Sequence, residues 1–187
     1  MDIKFTSFIA TSLDGYIARL NGKLDWLNDA ADKNSTEDYG YQNYIAAIDC
    51  IVLGRSSFEK TASFAEWPYQ KKRVIVLSRT LKEPPEDFAD KVAVFNGSIE
   101  LLAVELQNQG IQRVYVDGGL TIQSFFKADL MDEITITQIP VLIGRGLPLF
   151  GEHSEDIKLT LLQSNSFPSG FVQSKYRVER QSSRYFD

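Results

Sequence analysis

Three times along the chain a short apolar run gives way to small or polar residues. Ile51-Val52-Leu53 exits through Gly54-Arg55-Ser56-Ser57. Val74-Ile75-Val76-Leu77 exits through Ser78-Arg79-Thr80. Val114-Tyr115-Val116 exits through Asp117-Gly118-Gly119-Leu120-Thr121. The repeated pattern is strand, small-residue turn, helix. Strands that are apolar on both faces belong in a sheet covered on both sides, so the chain is expected to form an α/β fold. Its 187 residues suit one domain over 1–187.

The rest of the chain fits the same frame. Ile3 to Ala10 reads as a strand, closed by turn signals at Ser12-Leu13-Asp14-Gly15 and Asn21-Gly22. Asp14, Asp25 and Asp29 read as turn or cap residues. Ser35-Thr36-Glu37-Asp38 reads as a helix start, with Ser35 or Thr36 as cap, acids in the first turn, and Tyr41, Tyr44, Ile45 and Ile48 as the apolar face. Val92 to Phe95 is a further strand, and Ser98 caps a helix through Gln109. Glu133 to Ile139 is another strand. Ile157 to Phe167 and Phe171 to Arg180 form a closing antiparallel hairpin around Pro168-Ser169-Gly170.

Composition removes several function classes. Lys and Arg number 20 against 25 Asp and Glu, a net charge of −5, which argues against a nucleic-acid surface. Cys50 is the only cysteine and reads as a core residue, so no intrachain disulfide forms. His153 is the only histidine and lies in a polar loop, which excludes sites needing two histidines. No metal cluster is legible. No apolar run approaches the ~20 residues that span a bilayer. The amino-terminal stretch does not read as a signal peptide, so a cytoplasmic location is expected.

The three exits carry the chemistry. A helix amino terminus offers free N–H groups and partial positive charge, both suited to phosphate. Arg55 and Arg79 add cations, and Ser56, Ser57, Ser78 and Thr121 add hydroxyls. Each exit alone is equally a cap, a polar strand end or a tight turn. Together in one sheet they suit a ligand with more than one phosphate. The spacing is not G-x-G-x-x-G, and no Walker lysine follows. An acid of the Glu37-Asp38 pair facing the interior would be a proton donor with a raised pKa.

Taken in order, the motifs resemble the dihydrofolate reductase fold, most closely the branch with the riboflavin-biosynthesis reductase, the RibD C-terminal domain. The resemblance runs from Phe5 to Val178. It rests on Ala10 to Ala18 with Asn21-Gly22, Asp25-Trp26-Leu27, Val52 to Glu59, Val76 to Arg79, Val116 to Gly119, and Pro140 to Phe150. It implies a mixed, mostly parallel sheet flanked by helices, with a C-terminal antiparallel hairpin. It also implies NADPH as cofactor, with Ala10 and Ile17 flanking the nicotinamide under a loop through Asn21 and Gly22. Gly54, Arg55, Ser56 and Ser57 would take the pyrophosphate and adenosine-phosphate side. Leu77, Ser78 and Arg79 would hold the adenosine half, with Arg79 or Arg55 near the 2′-phosphate. Gly118, Gly119, Leu120 and Thr121 would receive the pyrophosphate.

On the substrate side, counting back from Gly54 places the family's helix acid at Asp38, with Glu37 beside it. Thr137 matches a threonine that orients that acid or its water. Gln42 stands where an aromatic contact is expected. The implied activity is reduction of a C=N or C=O bond in a small pterin-, pyrimidine- or related heterocyclic substrate. A homodimer is expected because riboflavin-type relatives pair. The alternative is a catalytically weak NADP(H)- or nucleotide-binding regulatory protein on the same fold. The two readings divide at Glu37 and Asp38: if both face solvent, catalysis loses this candidate acid.

Overall fold

The computed structural model describes residues 3–30, 36–69 and 72–180. In chain order the strands are β1 (Lys4–Ser12), β2 (Tyr16–Ala18), β3 (Cys50–Gly54), β4 (Arg73–Leu77), β5 (Val92–Phe95), β6 (Arg113–Asp117), β7 (Met131–Ile139), β8 (Leu147–Pro148), β9 (Leu159–Ser166) and β10 (Val172–Val178). The helices are α1 (Asp25–Ala30), α2 (Tyr41–Ala46), α3 (Arg55–Ala62), α4 (Ile99–Asn108) and α5 (Gly119–Lys127). Eight strands form one sheet in the order β5-β4-β3-β6-β1-β7-β10-β9, and β2 pairs with β8 apart from it. The strands from β5 to β7 in that order are parallel. β10 runs antiparallel to β7, and β9 to β10. This is the expected mixed, mostly parallel sheet with its C-terminal hairpin.

Alternation explains the layers. In β3, Cys50 and Val52 point into one cluster while Ile51 and Leu53 point into the other, and all four are buried. The first cluster is closed by Leu102 and Leu106 of α4 and by Ile122 and Phe125 of α5. The second is closed by Phe58 of α3 and by Tyr41, Tyr44 and Ile45 of α2. Each large apolar side chain removed from water contributes roughly 1.5–3 kcal/mol, so both faces of the sheet need their helices. A smaller third cluster, Trp26, Ile139 and Phe171, lies at the carboxyl ends of β1 and β7. Among the described residues no helix is long and apolar enough to cross a membrane.

Local expectations are met at Ser98, whose hydroxyl accepts the N–H of Leu101 at 3.2 Å to cap α4. They need correction before α2. The helix starts at Tyr41 rather than at the expected Ser35 or Thr36 (Ser35 lies outside the described residues). The cause is backbone geometry: Tyr39 has φ +56° and Gly40 φ +81°, both left-handed, so a right-handed helix begins only beyond them. Asp25 and Asp29, read as turn or cap residues, both lie within a short helix, α1, whose Trp26 is buried in the third cluster.

Candidate functional site

β3 and β6 are parallel neighbours, with Leu53 opposite Asp117. The chain leaves β3 into α3, on one face of the sheet, and leaves β6 into α5, on the other. Adjacent strands whose helices depart to opposite faces leave a crevice at their carboxyl ends, where open α/β sheets bind ligands. The first turns of α3 and α5 bring unsatisfied N–H groups to its mouth.

Glycines let the two exits interlock. A Cβ at Gly54 would stand 2.6 Å from Oγ1 of Thr121, and one at Gly118 would overlap the Ser57 hydroxyl. A Cβ at Gly119 would stand 2.6 Å from Cδ1 of Ile17. The fold therefore brings together Gly54, Ser57, Gly118, Gly119, Thr121 and Ile17, six of the residues singled out in the sequence. Gly118 is a glycine on two counts, since its φ is also +96°.

The second exit joins this group through Arg55. Its Nη1 donates to Oγ1 of Thr80 at 2.9 Å, and its Nε meets Glu59 at 2.6 Å. The hydroxyl of Ser78 accepts the N–H groups of Thr80 and Leu81 and shapes the turn after β4. Leu77 is half-buried, while Ser56 and Arg79 are exposed. Leu120, in the first turn of α5, leaves 80% of its surface open, an apolar side chain uncovered beside the crevice.

The loop after β1 is strapped to the segment before β9. Asp14 accepts the N–H of Gly144 at 2.7 Å and of Ile143 at 3.3 Å, and the Ser12 hydroxyl at 2.6 Å. The Ser12 hydroxyl, with help from these amides, holds the Asp14 carboxyl below the usual range. Leu13 N–H donates to Val141 O, Leu149 N–H donates to Gly15 O, and β2 pairs with β8. A Cβ at Gly146 would collide with the carbonyl of Ala18. Asn21, exposed, and Gly22, half-buried, form the tip, where Asn21 Oδ1 accepts the N–H of Lys23 and Gly22 has φ +75°. Arg19 closes the base of the tip on Asp25 at 2.8 Å.

Around the third cluster lie Ala10, Leu27, Tyr39, Val141 and Phe167. Thr137 is buried on β7, and its cross-strand neighbour on β10 is Gln173. Gln173 Nε2 donates to Thr137 Oγ1 at 2.9 Å and to the Tyr39 carbonyl at 3.0 Å. Asp38 does not face the interior. It is exposed, as is Glu37, and its oxygens accept the N–H groups of Gln42 at 2.8 Å and Gly40 at 2.9 Å. The Gln42 amide, then that of Gly40, holds its carboxyl below the usual range. The expected interior acid with a raised pKa is therefore not found here. The left-handed Tyr39-Gly40 turn carries the carboxylate outward and uses it to bond the backbone of that turn.

An acid of that description stands at the end of β6. Asp117 is surrounded by phenols, and the Tyr69 hydroxyl donates to its Oδ2 at 3.4 Å. Burial pushes its carboxyl above the usual range, and the Tyr41 phenol up to about 12, so the ring hydroxyls stay protonated. The sequence held a signal for this environment: Tyr115 and Asp117 are two apart on a strand and share a face. Gln173, by contrast, carries no local signal, because its role comes from a cross-strand neighbour. A cavity of about 330 Å³ lies elsewhere, against Phe126, Met131, His153 and Val178, away from the strand carboxyl ends.

Comparison with known proteins agrees with this geometry. YwjB of Bacillus subtilis (strain 168) is 32% identical over 170 residues, which cover 89% of this chain and 94% of that protein. A crystal structure of a putative riboflavin biosynthesis protein from Shewanella sp. PV-4 superposes with a TM-score of 0.90 at 40% identity, covering 95% of this chain and 100% of that one. Dihydrofolate reductase from Enterococcus faecalis, solved with NADP(H), shares the fold at a TM-score of 0.64 and 17% identity, covering 94% of this chain and 96% of that one. The model of the RibD C-terminal domain matches residues 4–173. That span takes in all three strand exits, the strapped loop and Thr137 with Gln173, and the chain belongs to the RibD C-terminal domain family.

Proposed function

We propose that this protein is an NADPH-dependent reductase acting on a C=N or C=O bond of a small pterin-, pyrimidine- or related heterocyclic substrate. The observation that carries the reading is the interlocked crevice between β3 and β6. Its glycines let the two exits pack so closely that two helix amino termini and the Ser57 and Thr121 hydroxyls come together there. That set suits a dinucleotide pyrophosphate. The dihydrofolate reductase that shares this fold was solved with NADP(H).

In this reading Gly54, Ser56, Ser57, Gly118, Gly119, Leu120 and Thr121 receive the pyrophosphate, and Leu77, Ser78 and Arg79 the adenosine half. Arg55 and Arg79 supply the charge for a 2′-phosphate. Ala10 and Ile17 flank the nicotinamide, with the strapped loop and its Asn21-Gly22 tip closing over it. The bound cofactor supplies a hydride. The chain supplies position, exclusion of water and a proton. Asp38, held ionised, serves as an acceptor for a substrate N–H, and Thr137 holds Gln173, which bonds the turn after Asp38. Asp117 is the better proton source, because desolvation keeps its carboxyl protonated to higher pH.

One observation favours the second reading, a nucleotide-binding protein without efficient turnover: both Glu37 and Asp38 face solvent. Consumption of NADPH, followed by absorbance against pterins, pyrimidines and quinoid or carbonyl compounds, separates the two. The reductase reading expects turnover with at least one compound and its loss in Asp117→Asn. Binding of NADPH with no turnover across the panel would favour the second reading.

A further inference from the structure

Tyr39 is a bulky residue in a left-handed backbone conformation, with φ +56°, followed by Gly40 at φ +81°. Such a residue persists only where its surroundings over-determine it, and these places cluster at functional sites. Several restraints act on Tyr39. Its N–H donates to Oε1 of Glu37 at 2.9 Å. Its ring lies on Phe171 at 5.1 Å with an interplanar angle of 25°, and edge-on to Phe167 at 4.9 Å. Its carbonyl accepts from Nε2 of Gln173, a buried polar side chain of the sheet.

We infer that Gln173 is a positioning residue: by bonding Tyr39 and Thr137 at once, it locks the Tyr39-Gly40 turn and so fixes where the Asp38 carboxylate and the Tyr39 ring stand. The two acceptors use both N–H groups of one carboxamide, at 2.9 and 3.0 Å, and Gln173 is only 9% exposed. A carbonyl cannot donate, so the amide has one workable orientation here. The turn in turn aims the Gly40 and Gln42 N–H groups at Asp38. Release of Tyr39 to right-handed backbone would break that alignment. Gln173 thus acts through the turn and touches no reacting atom. Its consequence for turnover rests on the reductase reading, whereas the clamp itself does not.

The test is a carboxylate NMR titration of the whole protein, wild type and Gln173→Met, with Asp14 as internal reference. Met keeps the bulk and removes both donors. Asp14 is also held low, first by the Ser12 hydroxyl and then by the amides of Gly144 and Ile143. In Q173M the Asp38 pKa is expected to rise toward its ordinary 3.8 while Asp14 stays where it was. Tyr39→Asn in the same background should restore the low Asp38 value, since Asn tolerates left-handed backbone. An unchanged Asp38, or equal shifts of Asp38 and Asp14, would overturn the clamp.

A second measurement needs no variant. In the wild-type protein the Gln173 side-chain N–H groups should exchange slowly with solvent; exchange at the rate of a free amide would overturn the inference. With any substrate that the enzyme reduces, Q173M should raise KM and leave NADPH affinity as it was. A fall in kcat at constant KM would contradict the positioning role. NADPH binding that fails in wild type would count against the reductase reading and leave the NMR result to decide the clamp.

Discussion

Gly54 offers a clean test of the interlock between the two strand exits. Its backbone, φ −75° and ψ 160°, is open to any residue, so the need for glycine comes wholly from Oγ1 of Thr121, 2.6 Å from a Cβ placed there. Thr121 is itself buried, at 6% exposure, and cannot simply swing into water. Gly54→Ala should therefore act as overpacking, at roughly 2 kcal/mol. For a chain of this size that lowers the thermal midpoint by about 4–8 °C. Thr121→Ala removes the obstructing oxygen. In that background Gly54→Ala should cost less than about 0.5 kcal/mol, a coupling of roughly 1.5 kcal/mol between the two sites. Gly118 makes the contrast: Ser57→Gly clears its steric conflict, yet Gly118→Ala should still cost about 1–2 kcal/mol because φ stays near +96°. The assay is thermal and urea unfolding of the four-member cycle. An equal cost for Gly54→Ala with and without Thr121 would show that the exits do not pack as described.

Other outcomes follow from the charged groups. The folded Asp117 pKa is raised by burial, so the native state holds its proton over a window above 3.8 where the unfolded chain has lost it. Stability should fall as pH rises through that window, and Asp117→Asn should remove that slope and raise the neutral-pH midpoint, as pH-dependent thermal unfolding would reveal. Asp14 is the opposite case. Its folded pKa is lowered, so its stabilisation is present above 3.8 and lost as pH falls through the folded value. Asp14→Ala should speed hydrogen exchange at Ile143 and Gly144 at neutral pH, while the α4 amides keep their protection.

Much of this architecture is legible from residue order because parallel strands buried on both faces leave continuous apolar runs, as at Ile51-Val52-Leu53 and Val74 to Leu77. The three exits are legible for a related reason: glycines and hydroxyls at strand ends are what close packing of neighbouring turns requires, as Gly54 with Thr121 and Ser57 with Gly118 now show. The approach to α2 is not legible. Thr36-Glu37-Asp38 has the composition of a helix start, but Phe171, Phe167 and Gln173, more than a hundred residues away, hold Tyr39 out of helical backbone. Tertiary contact overrides local preference there. Asp117 reads locally as part of a turn. Its perturbation comes from burial beneath elements distant in sequence, and the Tyr69 hydroxyl, from the segment after α3, bonds the carboxyl and opposes that rise.

The most direct test of the account is thermal unfolding with NADPH, NADP⁺ and NADH titrated separately. Ligand at ~100 times its dissociation constant stabilises by about 2.7 kcal/mol, a readily measured midpoint shift. A charge-assisted contact from Arg55 or Arg79 to a 2′-phosphate contributes ~1.5–3 kcal/mol, a preference for NADPH over NADH of roughly ten- to hundred-fold. A large shift is expected with NADPH, a small one with NADH, and loss of the difference in Arg55→Ala/Arg79→Ala. No shift with any of the three at millimolar ligand would contradict the account.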